Sequence, residues 1–362
     1  MKHSNIKRSK GYLSFLLIIP ILLLSWFGLQ KIAPTKPSIT PTASTIAPSN
    51  DSTFSITYID VGQADAALVS CDGQYMLIDG GNAPDSNLIY SILQRQGINN
   101  LNIIVNSHAH EDHVGGLSGA LSYATCDTIL APVTSFDSKA FNNFAQLAAQ
   151  NHGIQIPQIN DEYQLGSAKI KILGLNAKEG NDTSIILKIT YGDTAFLFTG
   201  DGELAAEQAV LANADDLSAD VLKVGHHGSN TSTSPAFLEA IDPTYAIISV
   251  GQDNSYGHPH QEVLDRLKAQ DITIYRTDIH HDITCTSDGQ KVNCAPSQNA
   301  NQPTNTKQET SQDYILNTNS LKFHLPTCSS IEKIADHNKE TFHGTKSQLL
   351  KEGYQACKQC NP

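Results

Sequence analysis

The spacing of apolar residues along the chain predicts a strand-rich body with helices between the strands. Short alternating or continuous apolar runs are typical of strands, whereas apolar residues three and four positions apart, as in 88–93, are typical of an amphipathic helix. Strands are predicted near residues 54–60, 66–70, 75–79, 102–106, 127–131, 168–173, 184–190, 195–199, 220–224, 244–249 and 272–275, and helices near 88–93, 138–149, 203–212 and 261–269. Two strand-rich halves with intercalated helices favour an α/β fold with layered αββα packing.

An uncharged run rich in Leu and Ile covers residues 12–29 and is just long enough to cross a bilayer with its flanks. The residues before it carry basic side chains and no acidic one, which predicts the N-terminus inside the cell and the rest of the chain outside. A cleaved signal peptide with secretion is the alternative, but no A-x-A-like cleavage site follows Leu29. We therefore expect one N-terminal transmembrane helix that anchors a single-pass protein in the cell membrane.

Composition divides the chain into successive segments. A cytoplasmic tip and membrane anchor over residues 1–31 is followed by a stalk over 32–52, which is rich in Pro, Ser and Thr. The body spans 53–295, and a polar linker spans 296–312. Residues 313–362 form a compact tail, and a unit of that size commonly needs a metal or disulfides to hold its fold.

The body is strongly acidic. Residues 51–295 hold 30 Asp and Glu against 11 Lys and Arg, a formal charge of −19, within a whole chain of formal charge −12. Such a surface repels bare phosphate backbones unless metal ions or a local basic strip intervene. Tight DNA binding by the body alone is therefore not expected.

Four of the seven cysteines lie in the body and, outside the membrane, form an even set that allows two disulfides. Cys285 and Cys294 flank an Asp-Gly hairpin signal and are predicted to face each other across two strands. Cys71 and Cys126 are then left as the remaining pair.

The densest chemistry lies directly after the buried strand predicted at 102–106. His108, His110, Asp112 and His113 fall within six residues. Alternate residues of an extended loop point the same way, so His108 and His110 can bind one cation while Asp112 and His113 face a neighbouring position. Nitrogen and oxygen ligands suit zinc, with manganese or iron as alternatives. A solvated polar loop is the competing interpretation, but the glycine pair at 115–116, where the chain turns sharply into a helix, argues against it.

This loop is one of several segments in which the chain resembles the metallo-β-lactamase superfamily, and most closely the extracellular hydrolase domain of ComEC/Rec2-type competence proteins. The resemblance runs from about residue 54 to 285 and implies an αββα sandwich with a metal-dependent hydrolase site. Its segments are residues 60–66, 77–81, 107–116, 181–184, 198–201, 222–229 and 256–260.

The resemblance implies roles for residues beyond the loop. Asp79 matches an aspartate that braces the ligand loop more often than it binds metal. Asp201 matches the carboxylate that bridges two metals, although capping a helix over 203–212 is an alternative role. One of His226 and His227 completes the second metal's shell, and we assign His227 as the ligand and His226 to proton handling or phosphate contact.

One position departs from the family pattern. Dizinc members supply a further histidine to the first metal between the loop and Asp201, and the only histidine in that interval is His152, at a predicted surface helix end. Asn181 lies nearer the place where a ligand is needed, and the first metal is therefore predicted to be the less securely held. Ser184 is assigned a supporting or substrate-contacting role, as is His258, for which a structural turn is the alternative.

The implied chemistry is hydrolysis by a hydroxide activated between two divalent ions, zinc or manganese. Asp112, Asp201 and His226 are the predicted catalytic residues. A phosphodiesterase or nuclease acting on DNA is the family-level expectation, with competence-like or envelope machinery as possible partners. The alternatives are a hydrolase of envelope phosphoesters such as phosphocholine, and a catalytically weak DNA-binding surface protein.

The tail carries its own ligand pattern. His324 and Cys328, followed after 28 residues by Cys357 and Cys360, fit a tetrahedral structural zinc site. The tail resembles the small zinc-binding module of the Ada methyl-phosphotriester repair protein, in which the first ligand is the methyl-accepting cysteine. His324 occupies that position here, so methyl transfer is not expected, whereas DNA contact through tail lysines remains open. Disulfide formation among these cysteines is the alternative.

Overall fold

The computed structural model describes residues 53–175, 180–297, 312–344, 348–349, 354–357 and 360. The predicted anchor and stalk, and the linker from 298 to 311, lie outside the described residues. Among the described helices, none combines the length and the apolar character needed to span a membrane.

The elements follow one another along the described chain with strands in the majority. The strands are β1 (Phe54–Tyr58), β2 (Ala67–Cys71), β3 (Gln74–Ile78), β4 (Asn100–Val105), β5 (Thr125–Leu130), β6 (Ile154–Gln155), β7 (Glu162–Leu165), β8 (Ala168–Leu175), β9 (Ile185–Tyr191), β10 (Thr194–Phe198), β11 (Val221–Lys223), β12 (Tyr245–Ile248), β13 (Thr273–Arg276), β14 (Ile283–Ser287), β15 (Val292–Pro296), β16 (Gln312–Asn317), β17 (Lys322–His324), β18 (Lys339–Gly344) and β19 (Gln355–Ala356). The α-helices are α1 (Ser86–Gln96), α2 (Glu111–Val114), α3 (Leu117–Tyr123), α4 (Lys139–Ala148), α5 (Leu204–Asn213), α6 (Pro235–Ile241), α7 (Gln261–Ala269) and α8 (Thr277–His280).

Two mixed sheets form the body. One has the strand order β15-β14-β1-β2-β3-β4-β5-β6, and the other has the order β13-β12-β11-β10-β9-β8-β7. Strands β3, β4 and β5 run parallel in the first sheet, as do β10, β11, β12 and β13 in the second. Their carboxyl ends therefore gather at one edge of each sheet, which is where ligand-binding loops collect in such folds.

The apolar residues divide into three layers that explain the sandwich. A central cluster packs one face of each sheet against the other and includes Tyr58, Met76, Ile170 and Phe196. A second cluster packs α1, α3 and α4 on the outer face of the first sheet, and a third packs α5, α6 and α7 on the outer face of the second. Because successive strand residues face opposite sides, each strand serves an inner and an outer layer. The expected αββα packing is confirmed.

The cysteines of the body correct one expectation. Cys285 and Cys294 are register partners on β14 and β15 and form a disulfide, as the turn signal predicts. The pairing of Cys71 with Cys126 is wrong, and both are buried thiols. Cys71 on β2 lies in the central cluster, whereas Cys126 on β5 lies in the outer layer under the helices. The sheet itself separates the two sulfurs.

The tail forms a separate sheet of four short strands with the order β18-β16-β17-β19 among the described residues. Its own small core consists of Tyr314, Leu316, Phe323 and Leu349. A core of this size buries little apolar surface relative to the length of chain that has to fold around it.

Candidate metal centre

The site residues stand at the loops that leave neighbouring strands. His108 and the loop to His113 follow β4, Asp79 follows β3, Asp201 follows β10, and His227 follows β11. The parallel pairing of these strands within each sheet brings their ends side by side, and the facing of the two sheets brings the two sets of loops together. The fold thus gathers residues from four separate parts of the sequence.

A cluster of four ligand side chains is the centre of this site. Ligand atoms of Asp112, His113, Asp201 and His227 all lie within 4.8 Å of one another. His113 Nε2 lies 3.2 Å from Asp201 Oδ1, and His227 Nε2 lies 3.4 Å from Asp112 Oδ2 and 3.7 Å from Asp201 Oδ2. His113, Asp201 and His227 are buried, and Asp112 is half-buried. Two carboxylates and two imidazoles in this arrangement are a ligand set for one divalent ion.

The other predicted ligands surround Asp201 less tightly. His108 Nε2 lies 3.0 Å from His110 Nδ1 and 3.9 Å from Asp201 Oδ2. Within the described residues, His108 and His110 belong to no group of three or more ligand atoms as compact as the first cluster. The position at His108 and His110 is therefore the less complete one, and it is the same position for which the sequence lacks a further histidine.

The polar atoms aimed into the cluster support a metal. His113 Nε2, His227 Nε2 and Asp201 Oδ1 are buried and make no hydrogen bond among the described residues. Buried polar atoms are almost always paired, so three unpaired ones that face each other indicate coordination instead. The donor set fits a divalent cation.

Electrostatics supports the same conclusion. Burial alone would raise the pKa of Asp201, yet the charges of His113 and His227 hold that pKa well below its usual range. Burial alone would lower the pKa of His227, but Asp201 and Asp65 raise it to about 10. Burial, followed by the charge of His113, holds the pKa of His108 well below its usual value, so this ring is neutral and can donate a lone pair. Asp201 is therefore ionised despite its burial, and its negative charge favours a cation at the centre of the cluster.

Asp79 lies behind the ligand loop and braces it. One carboxylate oxygen accepts the Ser107 backbone N–H at 2.7 Å, and the other accepts the Ser107 hydroxyl at 2.6 Å. The second oxygen also lies 2.9 Å from His113 Nδ1, which leaves His113 Nε2 directed at Asp201. A carboxylate at the far nitrogen of a ligand histidine fixes its ring and its tautomer.

The two adjacent histidines have different surroundings. Both have left-handed backbone angles, with φ of 48° at His226 and 54° at His227. His227 is 2% exposed and turns into the four-residue cluster. The His226 side chain is 23% exposed, with Nε2 at 3.8 Å from Asp201 Oδ2 and Nδ1 at 3.2 Å from Glu203 Oε1. This sharp turn presents one ring to the buried cluster and the other to its solvent side.

The remaining predicted residues lie around His226 and Asp201. Asn181 donates its amide to Glu203 at 3.2 Å and lies 3.4 Å from both ring nitrogens of His226. The Ser184 hydroxyl accepts the Asp201 backbone N–H at 3.1 Å. The ring centroid of His258 lies 5.5 Å from that of His226. His152 is exposed in the turn after α4, as the sequence indicates.

Sequence reasoning did not assign roles to Asp65 and Lys223, which form a buried ion pair at the site. Lys223 Nζ lies 2.8 Å from Asp65 Oδ2, and Asp65 Oδ1 lies 3.4 Å from His227 Nδ1. Both residues belong to segments that carry the family resemblance, at 60–66 and 222–229. A lysine at the end of an apolar strand, three residues before a histidine pair, was the available signal.

The tail brings its four predicted ligands together in a second cluster. Ligand atoms of His324, Cys328, Cys357 and Cys360 lie within 4.8 Å of one another. His324 Nδ1 is buried without a hydrogen bond among the described residues. Burial, and then hydrogen bonds that the Cys360 thiol makes to the neighbouring Cys328 and Cys357 sulfurs, raise the pKa of Cys360 to about 11. One imidazole and three sulfurs at this separation fit a zinc module.

Comparison with known proteins agrees with this geometry. The profile of the metallo-β-lactamase superfamily matches residues 59–252. The chain is 30% identical to ComE operon protein 3 of Bacillus subtilis over 256 residues, which cover 64% of this chain and 33% of that protein. It is 32% identical to competence protein ComA of Neisseria gonorrhoeae over 227 residues, which cover 62% of this chain and 31% of that protein. The aligned part spans about a third of either curated relative.

A solved structure that matches part of the chain is the metallo-β-lactamase fold protein YhfI of Bacillus subtilis. It is 12% identical, with a TM-score of 0.44, and the match covers 65% of this chain and all of that one. The profile match covers more than half of the chain and contains the whole ligand loop and both histidines after β11. The chain therefore belongs to the metallo-β-lactamase superfamily: it has the fold of the metal-dependent hydrolases, and competence proteins of the ComEC type are among its homologues.

Proposed function

We propose that the chain is a metal-dependent phosphodiesterase that cleaves DNA at the outer face of the cell membrane. The observation that carries this proposal is the cluster centred on Asp201, with buried metal ligands on one side and the half-exposed His226 on the other. A site that holds cations next to an accessible imidazole suits a phosphate ester, whose oxygens are anionic and whose leaving oxygen needs a proton.

Two sets of residues would hold divalent ions. Asp112, His113, Asp201 and His227 would hold one, and His108 and His110 would hold the other with Asp201 between them. Bound zinc or manganese would supply Lewis-acid charge for a phosphoryl group and lower the pKa of an attacking water. Ser184, through the Asp201 backbone, keeps the shared carboxylate in place.

His226 is the residue that we assign to the leaving group. Glu203 and Thr231 lie 3.2 Å from its Nδ1, so this nitrogen is fixed and Nε2 faces the Asp201 side of the site. A ring held at Nδ1 presents its Nε2 to the site, where it can donate a proton to the leaving alkoxide. The exposed fraction of the side chain allows substrate to reach it.

The surroundings of His226 offer space and stacking surface for a nucleotide. A cavity of about 600 Å³ adjoins it and is lined by Glu203, Thr231 and Arg266, among others. From His226 a row of rings continues through His258 to Tyr256, which stacks on His258 with centroids 5.7 Å apart and is 67% exposed. Exposed aromatic rings beside a phosphate-binding centre are suited to unpaired bases.

The relatives supply the biological side of the proposal. One is a competence protein, ComA, and another is ComE operon protein 3, and a membrane-attached, outward-facing hydrolase on DNA would belong to a competence machinery. The acidic body opposes this substrate, so bound cations and exposed tail lysines such as Lys322 and Lys333 would have to offset the repulsion.

The test is incubation of the full chain with Mn²⁺ or Zn²⁺ and with single-stranded DNA, double-stranded DNA and a phosphocholine ester. We expect cleavage of DNA, and a loss of at least about 10³-fold in kcat in Asp201→Asn, equivalent to about 4 kcal/mol of transition-state stabilisation. His226→Gln should lower kcat by about 10²-fold with metal content unchanged, because it removes a proton donor and no assigned ligand. Glu111→Gln, an exposed acid in the same loop, is the matched control.

Turnover of the phosphocholine ester with intact DNA would replace the nuclease by an envelope esterase. Retention on DNA without turnover of any substrate would leave a DNA-binding protein. Equal loss of kcat and of bound metal in His226→Gln would make His226 a ligand rather than a proton donor.

A further inference from the structure

Asp65 and Lys223 form a buried ion pair directly beside the ligand residue His227. Asp65 is 5% exposed and Lys223 is 3% exposed, and their charged atoms lie 2.8 Å apart. Lys223 Nζ also donates to the Val224 carbonyl at 3.0 Å. A buried ion pair is weak support for stability, because removing both charges from water offsets much of their attraction.

The two carboxylate oxygens of Asp65 have separate partners. Oδ2 lies against Lys223, whereas Oδ1 makes no hydrogen bond among the described residues and lies 3.4 Å from His227 Nδ1. His227 Nδ1 donates to the Ser249 carbonyl at 3.0 Å. Both neighbours of Nδ1 are acceptors, so this nitrogen keeps its proton, and Nε2 is the nitrogen that would give its proton up and bind a metal in the ligand cluster.

Backbone contacts connect Asp65 to the other ligand loops. Its N–H donates to the Asp112 carbonyl at 3.0 Å, and its carbonyl accepts the Gly81 N–H at 2.8 Å. Asp65 is therefore tied both to the loop that supplies Asp112 and to the loop that carries Asp79. A displacement of Asp65 would move His227 relative to Asp112, its neighbour in the cluster.

We propose that Asp65 and Lys223 act as a positioning unit for His227, in which Lys223 holds the carboxylate so that Asp65 fixes the ring with Nε2 towards the metal position. Asp79 does the same for His113, so two ligand histidines are each backed by a buried carboxylate. Asp79 is held by Ser107, a neutral partner, whereas Asp65 is held by a cation. The lysine compensates the charge of a second buried carboxylate in a site that already contains Asp79, Asp112 and Asp201.

The inference rests on the metal-binding part of the proposed function and not on the choice of substrate. Its test is therefore metal affinity in the full chain, measured as loss of the free-ion signal of Mn²⁺ in electron paramagnetic resonance. Mn²⁺ prefers oxygen ligands, and the sulfur-rich tail cluster is a poor competitor for it.

Three variants isolate the positioning role. Asp65→Asn keeps the size of the side chain and removes its charge, Lys223→Met removes the cation, and the double variant removes both. We expect each to raise the Kd for Mn²⁺ by about 10- to 100-fold, as loss of a carboxylate behind a ligand histidine does. The single variants also leave one buried charge unpaired and should lower Tm, whereas the double variant should recover Tm without recovering affinity.

The matched control is Lys188→Met. Lys188 is 9% exposed and pairs with the exposed Asp216 at 2.8 Å, and neither residue belongs to the ligand cluster. Its Kd for Mn²⁺ should equal that of the unmodified chain. A double variant that recovers both Tm and Mn²⁺ affinity would show that the pair serves folding alone and would overturn the inference.

A measurement on the unmodified chain covers the case in which the variants do not fold. With zinc bound, ¹⁵N shifts of the His227 ring should show a protonated Nδ1 and a metal-bound Nε2. Metal on Nδ1 would overturn the inference. If the variants weaken Mn²⁺ binding as expected but the unmodified chain cleaves no DNA, the inference stands and the proposed substrate is rejected.

Discussion

The ligand cluster of the body and that of the tail each contain four ligand residues, but the surrounding protein supports them to very different extents. In the body, Asp79 and Asp65 lie behind His113 and His227, and the whole cluster lies at the edge of two sheets with a continuous core. In the tail, four ligand atoms converge from β17, from the turn after it and from the segment after β19, and the core cluster in the described part of the tail has four buried residues.

The difference indicates whether the protein scaffold positions the metal ligands or the metal stabilises the scaffold. Where a scaffold buries a large apolar core, it fixes the ligands in place before any metal binds, and the metal serves chemistry. Where the core is small, the metal closes the fold, and its binding energy becomes folding energy.

The largest effect is expected from removing metal from the tail. Chelation, or Cys357→Ser with Cys360→Ser, should abolish the fold of the tail, because a structural zinc contributes on the order of 10 kcal/mol in small modules. Hydrogen exchange followed by mass spectrometry should then show rapid exchange in β16 and β18 but continued protection in β4 and β10. Cys126→Ser, a buried thiol outside both clusters, is the control. Equal protection of the tail with and without metal would contradict the contrast.

A smaller effect is expected from the one disulfide among the described residues. Replacing Cys285 and Cys294 by alanine should lower the free energy of unfolding of the body by about 2–3 kcal/mol, the range for a short closed loop. Urea unfolding with and without reductant measures it, and reductant should have no further effect on the variant. No change in the midpoint would mean that the core alone fixes the β14–β15 hairpin.

The smallest effect, counted per pH unit, is expected for the pH dependence of metal binding in the body. The pKa of His227 is raised to about 10, so below that pH the metal-free ring is protonated. A metal ion that binds this ring must displace the proton. Affinity should therefore rise with pH, by up to about tenfold per pH unit for each proton released, or about 1.4 kcal/mol. Calorimetry of Mn²⁺ binding in buffers of different ionisation enthalpy counts the protons. A pH-independent Kd between about pH 6 and 8 would mean that the ligand rings are already neutral.

Long periodic segments of the fold were predictable, whereas several short ones were not. Helix α7 matches its prediction at 261–269, and the β9 and β10 strands lie within a residue or two of theirs. The two-residue strand β6, the polar strand β7 and the helix α6 were missed because they contain too few residues to show a period. For α6 a signal was present, since Ser234 caps the helix and Pro235 begins it.

The chemical groups available to this protein can be read from its amino-acid sequence alone. The ligand loop at 108–113 and the cysteine spacing of the tail are local patterns, and local spacing carries their meaning. Only the tertiary structure decided how those residues are used. It placed His227 among the ligands and His226 at the solvent side, paired Lys223 with Asp65, and put Cys71 and Cys126 on opposite faces of one sheet. These outcomes depend on which strands become neighbours, and neighbouring residues of the same type carry no sequence signal that distinguishes their directions.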